Sequence, residues 1–137
     1  MRLEITRKAN LAISAMGELD RAGGRVSGKD LAGAIGTTTT FLAQVITPLV
    51  RRGWVGSQPG RAGGYELLAD ATGLSVLEVI EAVEGPTDTR TCVLRSGDCS
   101  SDDPCPTHEA WSRARTALIN ELAETPVSIL SPQGVRG

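Results

Sequence analysis

Apolar positions in the first third of the chain recur every three or four residues, which is the spacing of helices with one buried face. One such stripe predicts a helix over roughly residues 4–21, which Gly23 and Gly24 end. A shorter apolar pattern follows Ser27, whose hydroxyl is expected to cap a second helix, and this helix ends at Gly36. The first third of the chain is therefore predicted to be helical.

A third helix is predicted after a turn of only a few residues, which is the connection found in helix-turn-helix units. Its apolar stripe runs from Phe41 to Val50, and Pro48 inside it is expected to bend the helix or to change it locally. The opposite face carries short side chains and no acid, which suits a recognition helix that meets bases and phosphates. A threonine-capped surface helix is the structural alternative. This face consists of Thr38, Thr39, Thr40, Ala43, Gln44 and Thr47.

Two short strands around a glycine-rich turn are predicted after the third helix. Residues 54–58 form the first strand, and residues 65–68 form the returning strand of a β-hairpin. Arg61 lies in the turn, where a long guanidinium side chain can enter a narrow minor groove of DNA. A solvent-exposed turn arginine is the alternative explanation of the same residue. The hairpin is interpreted as the wing of a winged helix-turn-helix.

Beyond the wing, the pattern predicts two more helices separated by a segment without periodicity. Ser75 and Glu78 form a capping box at the start of the first of them. Residues 87–106 are rich in Asp, Ser, Thr, Gly and Pro. Thr107 is expected to cap the last helix, which ends at Thr125 and has one apolar stripe, suited to packing on its own domain or to dimerisation. The stripe consists of Trp111, Ala114, Leu118 and Leu122.

Together these elements predict a mainly α fold with a small β wing: a winged helix-turn-helix, a cysteine loop and a C-terminal dimerisation helix. The length of 137 residues suits one structural domain that buries its core without disulfides. Within it, residues 1–86 are the predicted DNA-binding region and residues 87–108 the cysteine-rich loop. Residues 107–125 are the predicted dimerisation helix, and residues 126–137 are the predicted tail.

The net charge of −2 conceals two halves of opposite sign. Residues 1–65 carry nine Lys and Arg against four Asp and Glu, a net charge of +5. Residues 66–137 carry five basic residues against twelve acids, a net charge of −7. Asymmetry of this kind indicates a half that binds a polyanion, although solvated faces alone produce a milder version.

Composition narrows the possible functions further. With 40% hydrophobic and 22% charged residues, the chain is an ordinary globular protein, neither disordered nor fibrous. It has no apolar run of about 18 residues and no signal-peptide core, so we expect a cytoplasmic protein with reduced thiols. Its single histidine, without a catalytic triad or phosphate loop, argues against an enzyme.

All three cysteines and the only histidine fall within 17 consecutive positions, inside the irregular segment or at its edge. Metal ligation explains such clustering, because each ligand bond replaces packing that an apolar-poor loop cannot make. Gaps of six and five residues between the cysteines are wider than usual for zinc and favour an iron-sulfur cluster. A Cys3His zinc site, a regulatory disulfide with a spare thiol, and unrelated thiols remain alternatives. The candidate ligands are Cys92, Cys99, Cys105 and His108.

The motifs together resemble the iron-sulfur winged-helix transcriptional regulator family (IscR/NsrR-like). The likeness covers nearly the whole chain, and the wing motif and the cysteine segment in combination make it specific. The matching segments are Met1-Arg2-Leu3, Phe41-Leu42 with Gln44, Arg61-Ala62-Gly63-Gly64-Tyr65, Ser75-Val76-Leu77-Glu78-Val79-Ile80, and the four candidate ligands. The resemblance implies a homodimeric DNA-binding regulator that senses iron, redox or nitric oxide status through a [2Fe-2S] or [4Fe-4S] cluster, with [2Fe-2S] favoured.

The resemblance also assigns roles to residues. It implies that the three cysteines are cluster thiolates, that His108 is the fourth ligand, and that the last helix pairs with the partner subunit. Gln44 and the threonine turn would read the major groove, and Arg61 would enter the minor groove of a double-stranded operator. Arg51 and Arg52 are expected on phosphates. The alternatives are a thiol-disulfide or zinc-dependent winged-helix regulator and a metal-binding adaptor that does not bind DNA.

Overall fold

The structure of the protein, a computed structural model, describes residues 3–87, 94 and 104–130. It confirms the predicted mainly helical fold with a two-stranded wing. The elements are helices α1 (Arg7–Ala22), α2 (Gly28–Ile35) and α3 (Thr39–Arg51), strands β1 (Val55–Gln58) and β2 (Gly64–Leu67), helices α4 (Val76–Glu84) and α5 (His108–Glu124), and a 3-10 turn η1 (Val127–Leu130).

Helix α1 forms the centre of the core and packs against α2, α3, α4, β2 and η1. Its small residues Ala9, Ala12 and Ala15 are completely buried, which lets neighbouring elements approach its backbone closely. The apolar stripe of α3 completes the core from the opposite side. The buried side chains of α3 are Leu42, Val45, Ile46 and Leu49.

Helices α2 and α3 form the predicted helix-turn-helix. The Ser27 hydroxyl caps α2 by accepting the amide of Asp30 at 3.1 Å. Gly36 ends α2 in the left-handed conformation with φ 77°, and the chain bends by 96° before α3 begins. The Thr38 hydroxyl then caps α3 by accepting the amide of Phe41 at 3.1 Å. Local capping chemistry therefore sets how α3 leaves the core.

No single described helix is long and apolar enough to cross a membrane. Helices α2 and α3 meet the length and composition requirements only as a pair.

Pro48 does not end α3, which continues for three more residues to Arg51. A proline has no amide hydrogen, so position 48 cannot donate to the carbonyl oxygen of Gln44 one turn earlier. The hydroxyl of Thr47 donates to the carbonyl oxygen of Ala43 at 2.7 Å in the same turn. Because the proline lies close to the helix end, the missing backbone hydrogen bond affects only the last turn of α3.

The wing is attached to the connection between α1 and α2. Val26 and Tyr65 exchange two backbone hydrogen bonds of 2.8 Å, which adds an isolated bridge to the β1–β2 hairpin. Gly64 has φ +138°, and a Cβ there would come within 2.7 Å of the carbonyl carbon of Val26. A Cβ at Gly63 would come equally close to the carbonyl carbon of Pro59. Both glycines are therefore required by backbone contacts.

The chain returns to the core after α5, which differs from the predicted tail over residues 126–130. Val127 in η1 is completely buried, and its amide donates to the carbonyl oxygen of Leu74 at 2.8 Å. The amide of Val76 donates to Thr125 at 2.8 Å, so the segment pairs with the start of α4. The predicted tail residues 131–137 lie outside the described residues.

Gly17 of α1 lies directly against η1, where an added Cβ would contact the carbonyl oxygen of Leu130 and come within 2.9 Å of its carbon. We expect Gly17→Ala to lower the free energy of unfolding by about 1–3 kcal/mol, because η1 must move away from α1. Chemical denaturation measures the change. Gly33→Ala is the matched control, since Gly33 is an exposed helical glycine with open space around it. The control should be neutral or stabilising by up to about 1 kcal/mol, and equal effects would contradict the close packing.

Candidate nucleic-acid interface and ligand segment

The polar face of α3 lies in solvent, opposite the buried stripe of the same helix. Thr39, Thr40 and Gln44 are all exposed, as are Thr38, Ala43 and Thr47. Thr38 accepts a hydrogen bond from the amide of Phe41, so its own hydroxyl hydrogen remains available to an acceptor such as a phosphate. Residues 31–65 contain no Asp or Glu. Helix α3 and the wing turn thus carry no carboxylate, and Glu66 of β2, the one acid of the two wing strands, is paired with Arg25; a surface poor in carboxylates is what the approach of a polyanion requires.

Arg61 is exposed in the turn that joins the two wing strands. The turn is tight, because the amide of Gly63 donates to the carbonyl oxygen of Gly60 at 3.1 Å and Gly60 adopts φ 97°. The structure therefore places Arg61 in the turn between β1 and β2, as predicted.

Arg51 and Arg52 are exposed at the end of α3. The guanidinium carbon of Arg52 lies over the ring of Trp54, 5.5 Å from its centroid. Sequence reasoning placed Trp54 only in a strand and missed this contact. Spacing of two residues places side chains on one face of a strand but not of a helix, and Arg52 lies at the end of a helix, so the contact depends on the turn at Gly53 with φ 77°.

Two other basic residues of the positive half are paired with carboxylates. Arg21 lies 2.9 Å from Glu18, and Arg25 lies 3.6 Å from Glu66. Both pairs are partly exposed, so they contribute little to stability but reduce the positive charge locally. The basic residues on the two predicted DNA-contacting elements, α3 and the wing, are Arg51 and Arg52 at the end of α3 and Arg61 in the wing.

The candidate ligands span residues 92–108, the ligand segment, of which the structure describes residue 94 and residues 104–108 at the start of α5. Cys105 is buried with 6% exposure, and its Sγ lies 3.7 Å from the hydroxyl of Thr107. His108 is the first residue of α5, and its amide donates to the carbonyl oxygen of Cys105 at 3.0 Å. The other two candidate ligands, Cys92 and Cys99, lie outside the described residues.

The expected side-chain cap by Thr107 was wrong in its chemistry, although Thr107 does occupy the N-cap position. Its backbone has φ −107° and ψ 11° rather than the extended conformation of capping residues, and its hydroxyl makes no cap hydrogen bond. Cys105 lies two residues before the N-cap of α5, close to the partial positive charge of that helix end. Within the described residues, no three Cys, His, Asp or Glu side chains converge on one point. The two candidate ligands within the described residues, the thiol of Cys105 and the imidazole of His108, fit the chemistry of an iron-sulfur cluster or a zinc site.

One side of helix α5 packs against the rest of the protein, and the other side faces solvent. The predicted dimerisation stripe lies along the border between these two sides. Leu122 packs against the core and Trp111 is half-buried. Ala114 and Leu118 point to solvent, with Leu118 51% exposed. No residue of α5 is fully buried, although the helix packs against α4. The outer residues of the stripe therefore form an apolar strip on the surface of the chain.

The sequence profile of Rrf2, described as an iron-dependent transcriptional regulator, matches residues 5–132. The chain belongs to the Rrf2 family. The HTH-type transcriptional regulator IscR of Escherichia coli is 34% identical over 125 residues, which cover 88% of this chain and 76% of that protein. This Rrf2 protein is therefore a transcriptional regulator, and its relatives are not enzymes, as predicted.

Solved structures confirm the fold of this Rrf2 protein. CymR, the global cysteine regulator of B. subtilis, superposes with a TM-score of 0.78 at 27% identity, covering 96% of this chain and 98% of that chain. IscR of T. potens superposes with a TM-score of 0.70 at 25% identity, covering 93% of this chain and 86% of that chain. Since these neighbours include a cysteine regulator, the signal of this Rrf2 protein must be argued from its own ligand segment.

Proposed function

We propose that this Rrf2 protein is a homodimeric regulator whose binding to a double-stranded DNA operator is controlled by an iron-sulfur cluster. The observation that carries the proposal is the pairing, in one short chain, of two features. The first is a stretch without Asp or Glu, residues 31–65, that carries Arg51, Arg52 and Arg61 as exposed residues. The second is a segment that holds all three cysteines and the only histidine.

DNA docking divides into base contacts and backbone contacts. Thr39, Thr40 and Gln44 face outward from the first two turns of α3, where they reach base edges in the major groove. Thr38 donates its hydroxyl hydrogen to a phosphate, and Arg51 and Arg52 bind phosphates at the other end of the helix. Arg61 enters the adjacent minor groove from the wing.

Cys92, Cys99 and Cys105 would hold the cluster through their thiolates, and His108 would supply the fourth ligand through its imidazole. When bound, the cluster supplies iron and sulfide centres that respond to iron supply, oxidants and nitric oxide. Mixed thiolate and imidazole ligation is known for [2Fe-2S] centres, which favours that type over [4Fe-4S]. The protein contributes the buried position of Cys105 and its place close to the positive end of α5.

Helix α5 connects the ligand segment to the proposed DNA-binding region, residues 1–86. It begins at His108 and packs against α4, and the residues that follow it pair with the start of α4. Ala114 and Leu118 are the exposed residues of the predicted stripe, and in the dimer they pack against the partner helix, beside the half-buried Trp111 and Leu122. Binding of the cluster would thus change the spacing of two α3 helices, and a coupling of about 1–3 kcal/mol is enough for regulation.

Replacing Arg61 with alanine tests the wing. We expect the variant to bind a selected operator more weakly by about 1–3 kcal/mol, because the minor-groove contact is lost, while its fold stays intact. Fluorescence anisotropy with a duplex that the wild-type protein selects from a random library measures the change. Arg21→Ala is the matched control, since Arg21 is an exposed arginine paired with Glu18 on α1. Equal affinities of the Arg61→Ala, control and wild-type proteins would remove the wing from the DNA interface.

A thiol-disulfide or zinc-dependent regulator is the second candidate, favoured by the presence of three cysteines within one short segment. In this alternative the same three cysteines sense oxidants through a disulfide or hold zinc. Anaerobic purification with iron, zinc and sulfide counts separates the candidates. A coloured protein with iron and sulfide supports the cluster, and a colourless protein with one zinc per chain supports the alternative.

A further inference from the structure

The residue pair Arg52 and Trp54 lies at the junction of the recognition helix and the wing. The amide of Arg52 donates to the carbonyl oxygen of Pro48 at 3.2 Å, and the amide of Trp54 donates to that of Leu49 at 3.1 Å. The carbonyl oxygen of Trp54 accepts the amide of Leu68 at 2.8 Å, beyond the returning strand. The backbone around this pair is thus fixed to both DNA-facing elements.

The side chains of the pair differ in their surroundings. Trp54 is half-buried and packs against the core, whereas Arg52 is exposed. The guanidinium carbon of Arg52 lies over the indole ring at 5.5 Å. The attraction between a cation and a ring face limits the freedom of the arginine side chain, and the five N–H donors of a guanidinium leave several that can point away from the ring to a phosphate. The ring is therefore expected to restrict the guanidinium while donors remain for a phosphate.

We propose that Trp54 is a positioning residue that holds Arg52 ready for a phosphate of the DNA backbone. This inference rests on the proposed DNA binding and adds a residue that acts through another. Without the ring, Arg52 must lose rotamer freedom when it meets the phosphate, which weakens binding. The neighbouring residue Arg51 is also exposed at the helix end but is not the arginine over the ring, so it provides the comparison.

A double-mutant cycle on the full-length protein tests the proposal. The variants are Arg52→Ala, Trp54→Leu and their combination, with Trp54→Phe as the conservative variant. Anisotropy titrations across a range of salt use two probes: a 30-base-pair duplex of arbitrary sequence and a duplex that the wild-type protein selects. Arg51→Ala, alone and combined with Trp54→Leu, is the matched control.

We expect Arg52→Ala to reduce the slope of log affinity against log salt by about 0.9, the value of one phosphate contact. Trp54→Leu should weaken binding to both duplexes by about two- to fivefold, and Trp54→Phe by less. In the Arg52→Ala background, Trp54→Leu should have no further effect. In the Arg51→Ala background, it should keep its full effect.

Three results would overturn the proposal. An unchanged salt slope in Arg52→Ala would show that Arg52 meets no phosphate. An equal loss from Trp54→Leu with and without Arg52 would show that Trp54 acts through the fold alone. If Trp54→Leu does not fold, the same comparison is made with Trp54→Phe. A wild-type protein that binds neither duplex would contradict the DNA-binding function itself and the inference with it.

Discussion

A Gly64→Ala protein is expected to lose about 2–4 kcal/mol of folding free energy and most of its operator affinity. The alanine would have to adopt φ +138°, and its Cβ would collide with the backbone of Val26. Relief of the collision requires the wing to leave the connection between α1 and α2, and the two hydrogen bonds between Val26 and Tyr65 are then lost. Chemical denaturation measures the stability, and anisotropy measures the operator affinity.

Two other glycines separate the two causes of the expected destabilisation, which are the strained φ and the collision with Val26. Gly60 lies in the same wing at φ 97° but in open space, so Gly60→Ala carries only the backbone strain, about 1–2 kcal/mol. Gly24 lies in open space without a positive φ, so Gly24→Ala should be close to neutral. A Gly64→Ala protein as stable as Gly60→Ala would show that the wing is not held against Val26.

Replacing Cys105 with alanine is expected to abolish cluster binding. The buried thiol is one of three proposed thiolates, and the two remaining cysteines cannot complete the ligand set. The anaerobically purified variant should lack the visible absorption band of the wild-type protein, and its iron content should fall to near zero. Its operator affinity should be that of the wild-type protein without cluster, about tenfold or more away from the loaded form.

Thr107→Val is the control for this substitution. Thr107 lies next to the same sulfur but makes no cap hydrogen bond, so the variant should keep the absorption band and the iron. Thermal denaturation shows whether both variants are folded. A Cys105→Ala protein with wild-type iron and absorption would remove Cys105 from the ligand set.

Sequence patterns predicted the helix-turn-helix and its boundaries because the signals are local. The hydroxyls of Ser27 and Ser75 accept the amides three residues later at 3.1 Å, and at Ser75 the Glu78 carboxylate completes a capping box. Gly23 and Gly36 end their helices in the left-handed conformation. Side chains and backbone within one turn determine these features, so no knowledge of the rest of the chain is needed.

Long-range contacts were less accessible to sequence reasoning. The segment Val127–Leu130 has only four residues, too few to show a period, and its burial depends on Gly17 more than a hundred positions earlier. The contact between Arg52 and Trp54 depends on the turn at Gly53. The apolar stripe of α5 was predicted as one surface. Helix α4 packs against one side of α5, and part of the stripe is half-buried while the other part is exposed. Each of these features is decided by how distant elements pack.

The residues of the candidate site also differ in how far the sequence alone predicts them. Thr39, Thr40, Gln44 and Arg61 were predicted from amphipathicity and turn chemistry, and the structure exposes all four. Their contacts with DNA remain predictions. For the ligand segment, the structure adds the burial of Cys105 and its place before α5, whereas the ligand set itself rests on clustering in the sequence.

The central claim is that the state of the cluster controls DNA binding, and a comparison of two forms of one preparation tests it directly. Anisotropy titrations of a selected operator are carried out anaerobically with the loaded protein and with the same protein after chelation of its iron. The account predicts that the two affinities differ by about tenfold or more and that reconstitution with iron and sulfide restores the first value. Equal affinities of the two forms would contradict it.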